Sequence, residues 1–151
     1  MIKPLDVDMK TVRINRTLHG RSAYRVQNVD GHNVVRYYNQ PGHGDGIDLF
    51  AAAGTEVRAC HDGVVSRVFD RSGKLSGCYV AGAEGISVYA HLHLKNDIRM
   101  YKKVEEGEVI GYIGRLLADP HLHFELELAG NKIITGFTPE RFRANLFELF
   151  S

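Results

Sequence analysis

The sequence predicts an all-β fold, mostly antiparallel, closed by a short C-terminal helix. Three observations predict it. Residues 121–128 alternate polar and apolar without a break, His121, His123, Glu125 and Glu127 on one side and Leu122, Phe124, Leu126 and Leu128 on the other, as a strand with one face on a core requires. Short β-rich runs then recur between turn signals from residue 55 to residue 113. The period changes to a helical one only after Thr138.

The elements follow in order. Val12 to Asn15 and Ala23 to Val29 read as short strands, with Gly20 and Asp30-Gly31 as turns. Val34 to Tyr38 is a strand before the loop Asn39-Gln40-Pro41-Gly42, and residues 43–50 leave that loop to enter another. Thr55 to Cys60 and Val64 to Phe69 flank the turn at Asp62-Gly63. Cys78 to Ala81 and Ile86 to Leu94 form an antiparallel pair around Ala83-Glu84-Gly85. Arg99 to Val104 and Val109 to Ile113 read as a hairpin about Glu105-Glu106-Gly107. In the final strand Pro120 stands at the start, where its missing N–H does least harm. The helix, over 138–150, opens on an N-cap threonine and a proline, and its apolar face is Phe142, Leu146, Leu149 and Phe150. The 151 residues make one domain: an ill-defined N-terminal β segment over 1–41, a core over 42–130 and the helix.

Composition excludes several functions. A net charge of +1 with no basic stripe argues against a nucleic-acid binder, and no apolar run approaches a membrane span. The N-terminus lacks the apolar stretch of a signal peptide. Cys60 and Cys78 form no CxxC pair, so a thiolate zinc site is out, and reduced buried thiols are expected rather than a disulfide.

Histidine placement carries the chemistry. His121 and His123 point the same way from one strand, His91-Leu92-His93-Leu94 repeats the device, and His43 stands in a glycine-rich loop before Asp48. Imidazole and carboxylate donors suit zinc, which in catalytic sites takes three protein ligands and one water. Zinc lowers the pKa of that water to ~7, making hydroxide available to attack an amide carbonyl.

In these motifs the chain resembles the M23 peptidases, the LytM-type or lysostaphin-like zinc endopeptidases of peptidoglycan. The resemblance runs from about Gly42 to Gly130. It rests on His43 with Gly46-Ile47-Asp48, on Ala59-Cys60-His61-Asp62-Gly63-Val64-Val65 and on Val88-Tyr89-Ala90-His91-Leu92. It continues through Val104-Glu105-Glu106-Gly107-Glu108-Val109-Ile110-Gly111 to Pro120-His121-Leu122-His123-Phe124-Glu125. The resemblance implies a LytM-type fold with one zinc per chain, held by His43, Asp48 and His123. It makes His121 the general base and His91 the residue that orients the water or stabilises the oxyanion. The substrate it implies is the peptide stems and cross-bridges of peptidoglycan, cut by a monomer.

Two features depart from the family pattern. Four residues rather than three separate His43 from Asp48, so that Asp45 becomes a rival for the metal, and a bulge at the two glycines would absorb the extra residue. Arg115-Leu116-Leu117-Ala118-Asp119 replaces the usual small polar segment before the HxH pair. His93 is expected to line the groove or to be solvated, and Glu125 to be a partner of the ligands or a solvated acid. His19, His32 and His61 are expected at the surface. With no export signal in view, the chain reads as a bacteriophage endolysin or as a trimmed secreted enzyme. The alternative to an enzyme is a LytM-like regulator without metal that activates other wall hydrolases. A third reading, a phosphocarrier or lipoyl-type domain, leaves the His43/Asp48 pair without a use.

Overall fold

A computed structural model of the chain describes residues 1–6, 24–29, 32–37, 47–128 and 132–133. The strand expected at Val12 to Asn15, the helix expected over 138–150, and His19, His43 and Asp45 lie outside the described residues. The described elements are twelve strands and no helix: β1 Tyr24–Val29, β2 His32–Tyr37, β3 Ile47–Phe50, β4 Glu56–Arg58, β5 Gly63–Phe69, β6 Gly77–Gly82, β7 Gly85–Ala90, β8 Leu92–Leu94, β9 Lys103–Val104, β10 Val109–Ile113, β11 His121–Leu128 and β12 Lys132–Ile133. Every pairing is antiparallel, as the all-β reading requires.

The large sheet runs β12-β11-β7-β6-β5-β9. β11 organises it. One of its edges pairs with β7 over His123 to Leu128, and the other is shared end to end by β3 and β12. A three-stranded sheet, β4-β10-β8, lies apart from it in hydrogen bonding, and β1 and β2 pair with each other. Leu122, Phe124 and Leu126 from β11 join Leu49, Val65, Val80 and Tyr89 of the large sheet in one core with Val57, Leu92, Leu94, Ile110 and Ile113 of the small one. Burial of side chains like these contributes about 1.5–3 kcal/mol each, so this shared core is what holds the two sheets together.

Three expectations need correction. Lys103–Val104 and Val109–Ile113 do not form a hairpin: β9 pairs with β5, while β10 pairs with β4 and β8. The turn between them is tied to a third segment, with Gly107 N–H donating to Ala59 O and Ala59 N–H to Glu108 O, both at 2.9 Å, so the chain crosses from one sheet to the other. Ile86 to Leu94 is likewise two strands, because His91 adopts φ 68° and turns β8 into the small sheet. His91 and His93 therefore do not share a strand face.

The third correction is His61, which is fully buried rather than superficial. Its Nδ1–H donates to the Asp62 carbonyl at 2.8 Å and its Nε2 lies 2.9 Å from Ser87 Oγ. Ser87 Oγ is 2.8 Å from Tyr89 Oη, which accepts the Cys60 N–H at 2.9 Å and lies 3.2 Å from Cys60 Sγ. Buried polar groups are tolerated when bonded in this way.

Cys60 and Cys78 are both free and buried, as the sequence suggested. Burial pushes the Cys78 thiol up to about 12, and that of Cys60 to about 11 despite its hydrogen bond to Tyr89. Thiolate is the reactive form. Alkylation by iodoacetamide at pH 8 is therefore expected to be at least about a hundredfold slower in the native chain than in denaturant. Mass spectrometry showing rapid native labelling at either position would contradict this burial.

Candidate active site

The site grows from the register of β11. Asp48 on β3 stands directly opposite His123 on one side, and Ala90 on β7 stands opposite it on the other. Cross-strand neighbours bring their β-carbons within about 5 Å, so Asp48 and His123 meet; His91, the residue after Ala90, leaves the strand at φ 68° and its ring comes to lie beside the histidines of β11. His121, two residues before His123, joins them on the same face.

The distances follow this plan. Asp48 Oδ1 lies 3.3 Å from His123 Nδ1 and 3.4 Å from His121 Nε2. The His91 ring sits edge-on to both histidines, with centroids 4.7 Å from that of His121 and 6.0 Å from that of His123. Phe50, opposite His121 in the register, packs its ring 5.1 Å from the imidazole and limits its rotation.

Each imidazole has one nitrogen committed away from this meeting point. His121 Nδ1–H donates to the Asp119 carbonyl at 2.8 Å, and His91 Nδ1–H to the Lys74 carbonyl at 2.8 Å. His123 Nε2 lies 3.2 Å from Glu125 Oε1. Glu125 is fully buried, so of the two expectations for it the solvated acid is excluded. Glu127 is buried as well: the polar side of β11 is covered rather than exposed.

What faces the centre is therefore His121 Nε2, His123 Nδ1 and a carboxylate oxygen, with the His91 ring beside them. These are lone pairs directed at one another, which only positive charge between them makes favourable. A proton on His123 supplies it in part. Burial opposes that charge, but hydrogen bonds to Asp48 and Glu125 outweigh burial and raise His123 to about 9. His91 moves the other way: burial lowers it, partly offset by its bond to the Lys74 carbonyl. A divalent cation would satisfy the same atoms, and imidazole nitrogen with carboxylate oxygen is a donor set suited to zinc. Among the described residues no three such donors close on one point; Asp48 and His123 offer two.

His91 holds its place through a left-handed backbone that disfavours most side chains by about 1–2 kcal/mol. Its carbonyl accepts the Gly114 N–H at 2.9 Å, and Leu92 N–H donates to the Ser76 carbonyl at 2.9 Å, so both neighbouring loops brace the turn. Beyond it opens a groove of about 680 Å³, lined by His91, His93, residues of loop 72–74, the end of β10 and residues 114–117 after it. His93, exposed on β8, borders this groove and takes no part in the cluster.

Several known proteins are similar to this chain in sequence or in fold. The chain is 35% identical over 91 residues to the DD-carboxypeptidase/endopeptidase Mpg of Neisseria meningitidis serogroup B, covering 58% of this chain and 21% of that protein. It is 34% identical over 93 residues to an uncharacterized metalloprotease of Haemophilus influenzae, covering 58% of this chain and 19% of that one. The chain thus matches about a fifth of the length of these relatives. Among solved structures, the catalytic domain of lysostaphin from Staphylococcus simulans superposes with a TM-score of 0.54 at 19% identity, over 90% of this chain and 95% of that one. A zinc containing peptidase from Vibrio cholerae gives 0.55 at 23% identity, over 87% of this chain and 37% of that one. At these identities the likeness to the two structures is one of fold. The sequence profile of Peptidase family M23 matches residues 42–134, the segment that carries β3, the His91 turn and β11. This chain belongs to peptidase family M23.

Proposed function

We propose that this chain is a zinc-dependent endopeptidase that hydrolyses the peptide cross-links of bacterial peptidoglycan. His43, Asp48 and His123 would hold the metal, and His121 and His91 would handle protons. One observation carries the reading: His121 Nε2 and His123 Nδ1 converge on a single Asp48 oxygen, with His91 against both rings, beside an open groove. Zinc bound there supplies a Lewis acid that brings the pKa of water to ~7.

The chain's own residues do the rest. The Asp119 carbonyl holds the Nδ1 proton of His121, so Nε2 is left as a base aimed at the centre. It takes a proton from the attacking water and returns it to the leaving amine. His91 is pinned in the same tautomer by Lys74 and kept neutral by burial. Its Nε2 can accept but not donate, so we assign it to orienting the water rather than to binding an oxyanion. Glu125 holds the Nε2 proton of His123 and thereby turns Nδ1 toward Asp48.

Glu125→Gln keeps the shape and removes the charge behind His123. It is expected to weaken zinc about 10–100-fold. Competition against a chromophoric chelator measures this, and wild-type affinity in the variant would remove Glu125 from the account. The function itself is tested by digesting purified peptidoglycans of several cross-link types with zinc and with chelator. New peptide termini in the mass spectrum that vanish with chelator are the expected result. Intact walls together with metal-free protein would instead favour a regulator that activates other hydrolases.

A further inference from the structure

The groove beside His91 carries a charge pattern that the chemistry above does not use. Lys74 and Arg115 both line it, and among the described residues no aspartate or glutamate does. Both side chains are exposed, and among the described residues neither is ion-paired with a carboxylate. Elsewhere acids do meet the cations near them: Glu56 pairs with Arg58, and Asp97 and Glu108 with Lys102.

The two cations are also set at fixed places relative to the histidines. The Lys74 carbonyl is the acceptor that holds His91 Nδ1, and its loop is braced by Asp70, whose carbonyl accepts the Gly73 N–H and whose Oδ2 accepts the Leu75 N–H. Arg115 directly follows Gly114, whose N–H is bonded to the His91 carbonyl. Its guanidinium lies over Gly54, 3.9 Å from where a β-carbon would stand, so the opposite turn puts no side chain in its way. The same groove carries aliphatic lining from Leu92, Ile113, Leu116 and Leu117. A ligand fitting this groove has an aliphatic body and an anionic group within reach of Lys74 and Arg115.

We propose that Lys74 and Arg115 select peptide stems bearing a free carboxylate next to the scissile bond. This rests on the peptidase reading above and names its substrate class. The carboxylate has two sources in a wall peptide, the side chain of a dicarboxylic diamino acid and the free C-terminus of the stem. A guanidinium can grip either in a two-pronged bond, and the lysine adds a point charge. Stems in which that carboxylate is amidated, and neutral bridges, would be poorer substrates.

The test uses the zinc-loaded full chain and cross-linked peptide dimers in matched pairs. One pair differs by amidation of the diamino acid's side-chain carboxylate, the other by amidation of the C-terminus. In one pair the acid is expected to show a KM about fivefold lower than the amide, the scale of a solvent-exposed ion pair. The double variant Lys74→Gln/Arg115→Gln should bring that ratio near one, Arg115→Lys alone should retain part of it, and added salt should shrink it. Equal KM values for acid and amide in both pairs would overturn the proposal, as would a ratio that survives the double variant. Cleavage of no peptide at all counts against the peptidase reading instead. Calorimetric binding of the same pairs then decides the charge preference separately: tighter binding of an acid upholds it, and equal binding overturns it.

Discussion

His121→Ala is expected to lower the kcat of the proposed peptidase about 10²–10⁴-fold without abolishing zinc binding. The magnitude is that of a positioned general base, and the retention of metal follows from geometry. His121 Nε2 lies 3.4 Å from Asp48 Oδ1, but Asp48 and His123 meet each other at 3.3 Å without its help. Behind them, Glu125 orients His123 independently of His121. Steady-state kinetics on a cross-linked peptide, paired with metal analysis of the same sample, reads both quantities. A variant within tenfold of wild type would take the base role from His121. One that loses zinc would make it a ligand.

The second large effect is on stability, and its sign depends on the metal. Without metal, folded His123 holds its proton to about pH 9 against an ordinary value of 6.5. The folded chain therefore binds more protons than the unfolded one between those limits. Stabilisation from this group is complete below about pH 6.5 and is lost as pH rises through about 9. Zinc needs the same nitrogen deprotonated, so its own stabilisation should grow across that window. Melting curves in chelator are expected to drop from pH 6.5 to 9, while the gap between zinc-loaded and chelated Tm widens. Parallel curves would mean that His123 is not where metal and proton compete. Asp48→Ala should abolish the zinc gap, and it should also reduce the fall in chelator, because one of the two carboxylates holding the proton is gone.

Much of the molecule follows from local pattern. The alternation over 121–128 marks a strand of those bounds, and Leu122, Phe124 and Leu126 are its core face, because side chains in a strand must point to alternate sides. The hairpin of β6 and β7 was legible from Ala83-Glu84-Gly85, since a short glycine-containing loop between two apolar runs leaves the chain little choice. The pair His121 and His123 marked the candidate site for the same reason: spacing alone puts two imidazoles of one strand on one side, whereas the same spacing at His91 and His93 did not, because the chain turns at His91.

Other features depend on what lies across from a residue, which no local pattern records. His61 sits next to a turn and reads as superficial, yet Ser87 and Tyr89 on a distant strand give it a buried place. Glu125 reads either as a partner of the ligands or as a solvated acid, and only the covering of that face makes it the buried neighbour of His123. The segments around Glu105-Glu106-Gly107 look like two arms of a hairpin, but Ala59 captures the turn and sends them to different sheets. Sequence by itself thus determined the all-β class, the strand 121–128 with its core side and the β6–β7 hairpin, since these depend on side-chain type and the period of two. Tertiary structure alone decided that Asp48 faces His123 across the register, that backbone carbonyls hold the outer nitrogens of two imidazoles, and that Lys74 and Arg115 border the groove. Those are relations between segments far apart in the chain, set by strand pairing and burial.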